Sequence, residues 1–163
     1  MLALRSLIFA IVIPGTVVVL IPYLIVSRND IGPLRPWTPL RLAGVVAMLV
    51  GAATLLRCIW DFAAKGRGTL APIDPPTQLV VEGPYRYVRN PMYLGVLITL
   101  LGEVAFFESI PLLQFTIVWF ALVHLVVVWY EEPSLRRRFG DSYEQYCRVV
   151  HRWLPTRPAG RGR

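Results

Sequence analysis

Four long apolar stretches set the pattern of this chain. Ser6 to Ser27 carries no charge, Leu42 to Trp60 holds only Arg57, Pro91 to Phe107 only Glu103, and Ile110 to Tyr130 no charged residue. About 20 mainly apolar residues are needed to cross a hydrocarbon layer of about 30 Å. The pattern therefore predicts four transmembrane helices. Pro14 and Pro22 interrupt the first, which membrane helices tolerate when neighbours satisfy the freed carbonyls. That stretch is too long for a signal-peptide core and no small-residue cleavage site follows it, so it reads as a retained helix. Gly44, Ala47, Gly51 and Ala52 give the second a small face for close helix packing. Glu108 to Pro111 is a tight connection, which makes the third and fourth spans an antiparallel hairpin.

Two polar segments remain. From Phe139 to Pro155, Tyr143, Tyr146, Val149, Val150 and Trp153 recur at helical spacing with Arg148 and Arg152 between them. This predicts an amphipathic interfacial helix able to cover the hairpin mouth. The interval from Asp61 to Asn90 is rich in Gly and Pro. Its Gly66-x-Gly68-x-x-Ala71 resembles a dinucleotide fingerprint, but no strand precedes it and Pro72 blocks the helix that must follow. The fold class is thus all-α integral membrane. Residues 1–60 form an N-terminal helix pair, and 61–163 a core of polar loop, hairpin and C-terminal interfacial segment.

Composition agrees. The 163 residues are 55% hydrophobic and only 17% charged, too few charges to cover a soluble domain, which needs about a quarter. The net charge of +7 comes from basic residues of which all but Lys65 are Arg. They flank apolar runs rather than forming a nucleic-acid module, so no nucleic-acid partner is expected. Fourteen of the 17 fall on the side holding both termini and the loop between spans two and three. The positive-inside rule puts that side in the cytoplasm, and a chain this rich in Arg over Lys suits a GC-rich bacterium and its plasma membrane. Cys58 and Cys147 match no metal or disulfide spacing and read as packing thiols.

Candidate chemistry gathers on that same face. Gly83-Pro84 forces a turn, Pro91 suits the first position of span three, and Asn90 is placed to cap it. Arg86 and Arg89 add positive charge to the free amides there, while Tyr85, Tyr87 and Tyr93 add aromatic faces. An interfacial aromatic belt with snorkelling arginines explains the same residues. Glu131 and Glu132 follow span four directly. They are expected either to face Arg136, Arg137 and Arg138 along the helix or to meet a cationic ligand beside Asn90. His124 stands opposite Met92, seven residues before Glu131 and so on nearly the same face. A packed histidine bonded to a neighbouring carbonyl is the favoured reading, a pocket-lining one the alternative. Glu103, near the other leaflet, reads as a structural hydrogen-bonding residue.

Gly83 to Gly95 (GPYRYVRNPMYLG), Glu131-Glu132 with Leu135, Phe139-Gly140, Tyr143, Tyr146 and Trp153 to Pro155 together resemble the isoprenylcysteine carboxyl methyltransferase family and the related phospholipid methyltransferases. The resemblance covers roughly Gly66 to Pro155. It implies a membrane enzyme using S-adenosylmethionine, with the cofactor between the hairpin and the C-terminal segment. The cofactor-contacting positions fall on Thr77, Gln78, Leu79, Val80, Tyr85, Arg89, Asn90, Pro91, Met92, Tyr93, Glu131 and Glu132. No metal is implied. The acceptor is a membrane-dissolved lipid or prenylated molecule, and Glu131 or His124 would be the catalytic group taking a proton from an amine acceptor.

Three positions depart from the family pattern. Asn90 and Thr77 stand where a histidine is usual, and Val127 where an arginine is attributed to prenylcysteine contact, which favours another lipophilic acceptor. An NADPH-dependent membrane reductase of the sterol reductase type shares a similar hairpin motif and is the nearest alternative. A non-catalytic membrane protein keeping the fold is the other.

Overall fold

A computed structural model describes residues 12–29, 36–65, 79 and 81–156, and every described element is helical. Helix α1 covers Val12–Arg28, α2 Pro39–Lys65, α3 Pro91–Phe107, α4 Ile110–Phe139 and α5 Asp141–Val149. A single 3-10 turn, Gly83–Arg86, precedes α3. Residues 6–11 of the expected first span lie outside the described residues, as do the Gly-rich loop and Thr77, Gln78 and Val80.

Among the described residues, two helices are long and apolar enough to cross a membrane, over Pro39–Asp61 and Ile110–Phe139. Only 17% of either apolar stretch is buried within the chain, unlike the core helix of a soluble protein. Leu42, Val46, Leu49, Leu56 and Trp60 on α2, and Ile117, Val118, Leu122 and Trp129 on α4, are all more than half exposed. Those residues form outward apolar faces of a kind that water does not tolerate over such areas. The helices α1 and α3 are shorter and also apolar.

Proline shapes both irregular helices. Thr16–Leu20 in α1 and Val127–Glu131 in α4 are wide π-turns, each placed two residues before a proline, Pro22 and Pro133. Proline lacks an N–H and its ring crowds the carbonyl four residues back. The wide turn opens that space, and Ile21 and Glu132 donate five residues back, to the Thr16 and Val127 oxygens. Helix α4 thereby continues nine residues past the expected end at Tyr130. Its 30 residues reach about 45 Å, more than a hydrocarbon layer of about 30 Å. The uncharged part ends at Tyr130, and Glu131 opens the charged remainder of the helix.

The connection between α3 and α4 is as tight as expected. Glu108 adopts the left-handed conformation at φ 51°, and the Ser109 hydroxyl accepts from the Leu112 N–H at 3.3 Å as the cap of α4. The closest helix pair, however, is α2 with α3. Gly44 lies against Gly102 and Phe106, and Gly51 against Gly95 and Thr99. A Cβ at Gly44 would sit 2.6 Å from the Gly102 oxygen, and one at Gly102 2.7 Å from the Gly44 oxygen, so the two backbones touch. All of α1 to α4 then meet at a core of Leu55, Val96 and Leu100, with Val17, Val18, Ile59, Met92, Phe115 and Trp119 packed around it.

At the end of the bundle that carries Glu108, Arg41 is buried at 2% exposure, 3.5 Å from the Glu108 carboxylate and 5.5 Å from the Phe106 ring. Glu103 is buried on α3, and its Oε2 has no partner among the described residues.

Candidate functional site

The opposite end of the bundle is assembled from the 3-10 turn, the first turn of α3, the last turns of α4, α5 and the segment after it. Gly83, at φ 59°, lets the turn settle against Asp61 at the end of α2, whose carboxylate would collide with any Cβ there. Asp61 in turn accepts from Arg57 at 3.2 Å. Tyr85, Tyr87 and Val88 donate backbone N–H groups back to the Glu82 and Pro84 oxygens, closing the turn.

Residues 150–156 form a strap across this turn. Arg89 N–H donates to the His151 oxygen at 2.9 Å, Asn90 Nδ2 to the Arg152 oxygen at 3.3 Å, and Thr156 N–H to the Tyr87 oxygen at 2.7 Å. Tyr146 of α5 adds its hydroxyl to the Tyr85 oxygen at 2.6 Å. Two expectations are corrected here. The C-terminal helix stops at Val149, because Val150 turns extended at φ −114° and the chain is drawn onto 87–90. Asn90 does occupy the cap position of α3, but its side chain makes no cap bond and spends its amide on the strap instead.

A charge cluster sits under the strap. Glu132 is only 3% exposed. Arg152 forks onto it with Nε at 2.6 Å and Nη2 at 2.9 Å, and Arg89 Nη1 lies 3.1 Å away. Burial alone would raise the Glu132 carboxyl, but the Arg152 hydrogen bonds and then the Arg89 charge outweigh it and hold the group below its ordinary value. The same hydrogen bonds push the Arg152 guanidinium higher still, against the opposing effect of burial. The expected pairing with Arg136 to Arg138 is overturned: Arg136 binds Glu144 at 2.8 Å. The partners of Glu132 instead come from the turn and the strap.

Arg89 also donates to Cys147 Sγ at 2.9 Å, so Cys147 takes part in the cluster, while Cys58 is a fully buried packing thiol. Arg89 Nε is buried without a partner among the described residues. Two guanidinium groups against one carboxylate leave the cluster one positive charge in excess.

Glu131 is bound differently. Tyr93 donates its hydroxyl to Glu131 Oε1 at 2.5 Å, joining α3 to α4. Tyr85 lies beside the same pair: burial first, and then Cys58, Tyr146, Tyr93 and Glu131, push its phenol well above the ordinary tyrosine value. The structure thus brings Tyr85, Arg89, Asn90, Tyr93, Glu131 and Glu132 to one end of the bundle. Pro91 is buried at the start of α3, Met92 turns into the helical core, and Leu79 is half-buried at the edge of the described residues.

His124 departs from its expected surroundings. Its Nδ1 accepts from the Trp153 indole at 3.0 Å, not from a peptide N–H and not toward a carbonyl. The π-turn Val127–Glu131 lies between it and Glu131 and holds more residues per turn than an α-helix. The two are therefore not on one face: His124 meets the strap and Glu131 meets α3. Trp153 was legible only as a continuation of the α5 stripe; nothing in its spacing marks it as a partner of His124.

The family model for phospholipid methyltransferases matches residues 40–142. A probable protein-S-isoprenylcysteine O-methyltransferase of Oryza sativa subsp. indica is 37% identical over 79 residues, 48% of this chain and 41% of that protein. The protein-S-isoprenylcysteine O-methyltransferase of Schizosaccharomyces pombe is 37% identical over 81 residues, 49% of this chain and 34% of its own length. The nickel-cobalt-cadmium resistance protein NccN of Alcaligenes xylosoxydans xylosoxydans is 33% identical over 79 residues, 48% of this chain and 37% of that protein. The chain thus spans between about a third and two fifths of the length of these curated relatives. No solved structure matches it.

Proposed function

Because the chain belongs to the phospholipid methyltransferase family, we propose that it is an integral-membrane methyltransferase that moves a methyl group from S-adenosylmethionine to a lipophilic acceptor dissolved in the bilayer. The helices α1 to α4 cross the membrane as four spans, with both termini and the Arg89–Glu132–Arg152 end in the cytoplasm of a bacterial cell. Residues 1–60 serve as an N-terminal helix pair and 61–163 as the methyltransferase core.

The observation that carries this reading is the strap-covered cluster between α3 and α4. Its residues suit the cofactor. The excess positive charge and the unpartnered Arg89 Nε match a carboxylate. Glu131, whose second oxygen is not used by Tyr93, matches the cationic sulfonium and ammonium groups. Tyr85 and Tyr93, with Leu79, offer faces for adenine. Thr77, Gln78, Leu79, Val80, Tyr85, Arg89, Asn90, Pro91, Met92, Tyr93, Glu131 and Glu132 would hold it. When bound, S-adenosylmethionine supplies a methyl group on a sulfonium leaving group, which an acceptor lone pair displaces.

The protein's contribution is then positional. It holds the acceptor against the methyl group and excludes water, which accounts for most of the rate in reactions of this kind. Glu131 is the group on hand to take a proton from an acceptor that must lose one. The test is thermal unfolding of the detergent-purified protein with S-adenosylmethionine, S-adenosylhomocysteine or NADPH. A ligand that binds only the folded state raises the melting temperature, by about 2.7 kcal/mol of stability at one hundred times its dissociation constant. Stabilisation by the first two alone is expected; stabilisation by NADPH alone would replace this reading with a reductase.

A further inference from the structure

The strap reaches further than the ionic cluster requires. Directly after Arg152, Trp153 lays its indole 5.0 Å from the Phe120 ring and 6.1 Å from the His124 ring of α4. Its Nε1 donates to His124 Nδ1 at 3.0 Å. An indole nitrogen can only donate. His124 Nδ1 must therefore carry a lone pair, and the neutral imidazole keeps its proton on Nε2. Among the described residues nothing accepts from that Nε2.

Trp153 is held so that this tautomer is a property of the scaffold. The residues before it are tied by the Arg89-to-His151 and Asn90-to-Arg152 bonds and by the Arg152 fork on Glu132. Beyond it, Thr156 makes two bonds to the Tyr87 oxygen, at 2.7 and 2.9 Å. His124 lies seven residues before Glu131, about 10 Å deeper along α4. It stands on the bilayer side of the charge cluster, in a helix that is otherwise apolar there. A fixed N–H in such surroundings is costly unless it meets an acceptor.

We propose that His124 is the acceptor-binding residue of this site: its Nε2–H, fixed by Trp153, grips an oxygen of the lipophilic acceptor's head group and selects an oxygen acid over an amine. This rests on the methyl-transfer reading above. An ionised oxygen acid has lone pairs enough to accept the imidazole N–H and to take up a methyl group, and it has no proton to shed. An amine at neutral pH arrives as an ammonium, whose N–H groups face another donor; deprotonated, its single lone pair would be occupied by His124. Depth fits as well, since an acceptor arriving from the bilayer meets His124 before the cluster. Trp153 acts through His124 and is a positioning residue.

The experiment uses the full chain in nanodiscs with 15N-labelled histidine. Histidine nitrogen shifts report the tautomer without cofactor or acceptor; the Nε2–H form is expected in the wild type and a mixture in Trp153→Phe. Transfer is then measured with N-acetyl-S-farnesylcysteine, palmitic acid and dodecylamine as probes. Transfer to at least one of the two acids and not to the amine is expected. In His124→Leu the acceptor KM should rise about tenfold, the worth of one hydrogen bond to a charged group, with S-adenosylmethionine affinity unchanged. His124→Gln, which restores an N–H near the Nε2 position, should recover most of the loss.

Trp153→Phe should raise the same KM, and the double variant should be no worse than His124→Leu, as for two residues acting through one bond. An Nδ1–H tautomer in the wild type, preference for dodecylamine, or an unchanged acceptor KM in His124→Leu would overturn the proposal. Failure of S-adenosylmethionine to bind the wild type would overturn the underlying reading instead, and the tautomer spectrum keeps the two failures apart.

Discussion

Glu132 is the carboxylate on which turn, helix and strap converge, and Glu132→Gln isolates its charge at nearly constant volume. It is 3% exposed and serves the Arg152 fork at 2.6 and 2.9 Å and Arg89 at 3.1 Å. Removing one member of a buried ion pair costs about 3–5 kcal/mol, because the remaining charge is stranded. Here Arg152 keeps 29% exposure and Arg89 12%, so water compensates in part and about 2–3 kcal/mol is the better figure. For a chain of this length each kcal/mol is about 2–4 °C in melting temperature. Glu132→Gln should thus melt about 4–12 °C below the wild type at pH 7, and the strap should become accessible to trypsin at Arg152.

The pH dependence follows from the sign of the shift. Glu132 is held below its ordinary value in the folded state, so its contribution is complete above the ordinary glutamate range, about pH 4–5. It is lost as pH falls through the folded value. The gap between wild type and Glu132→Gln should be constant from pH 6 to 8 and close below about pH 4. A variant melting within 2 °C of the wild type at pH 7, or a gap that widens in acid, would refute this account of the cluster.

Two further outcomes are expected. Glu131→Gln, which leaves the Tyr93 hydroxyl an acceptor but removes the charge, should weaken S-adenosylmethionine binding by about tenfold in calorimetry, with a smaller loss of stability than Glu132→Gln. Gly102→Ala puts a Cβ 2.7 Å from both the Gly44 oxygen and the Met48 nitrogen, so α2 and α3 must separate; a loss of about 1–3 kcal/mol should appear as a lowered melting temperature.

The helices could be read from the chain because length and hydropathy are local properties. Pro91 and Ser109 mark their starts by their own chemistry, and the α3–α4 connection is short enough to have one solution. What could not be read was set by partners distant in sequence. Glu132 was expected to use the arginines one turn away, but Arg89 and Arg152 converge on it from 43 and 20 residues off, and no spacing encodes that. Asn90 precedes a proline-headed helix, yet a strap carbonyl competes for its amide and wins. Trp153 continues the apolar stripe of α5 in sequence, but the backbone bonds offered by residues 87–90 end the helix first. The glycine contact was half legible: Gly44 and Gly51 stood out, while Gly95 and Gly102, spaced by the same seven residues, were the sign of where they would land.

That paired spacing has a mechanical consequence. Because Gly44 faces Gly102 and Gly51 faces Gly95, sliding α2 along α3 by even one residue would drive side chains into backbone at two places at once. The seam therefore works as a key with two teeth, allowing one longitudinal setting of the pair. Asp61 and the turn it supports lie ten residues beyond Gly51, about 15 Å along the same rigid helix. The setting of the key inside the bundle is thus transmitted to the height at which the turn carrying Tyr85 and Arg89 meets α4.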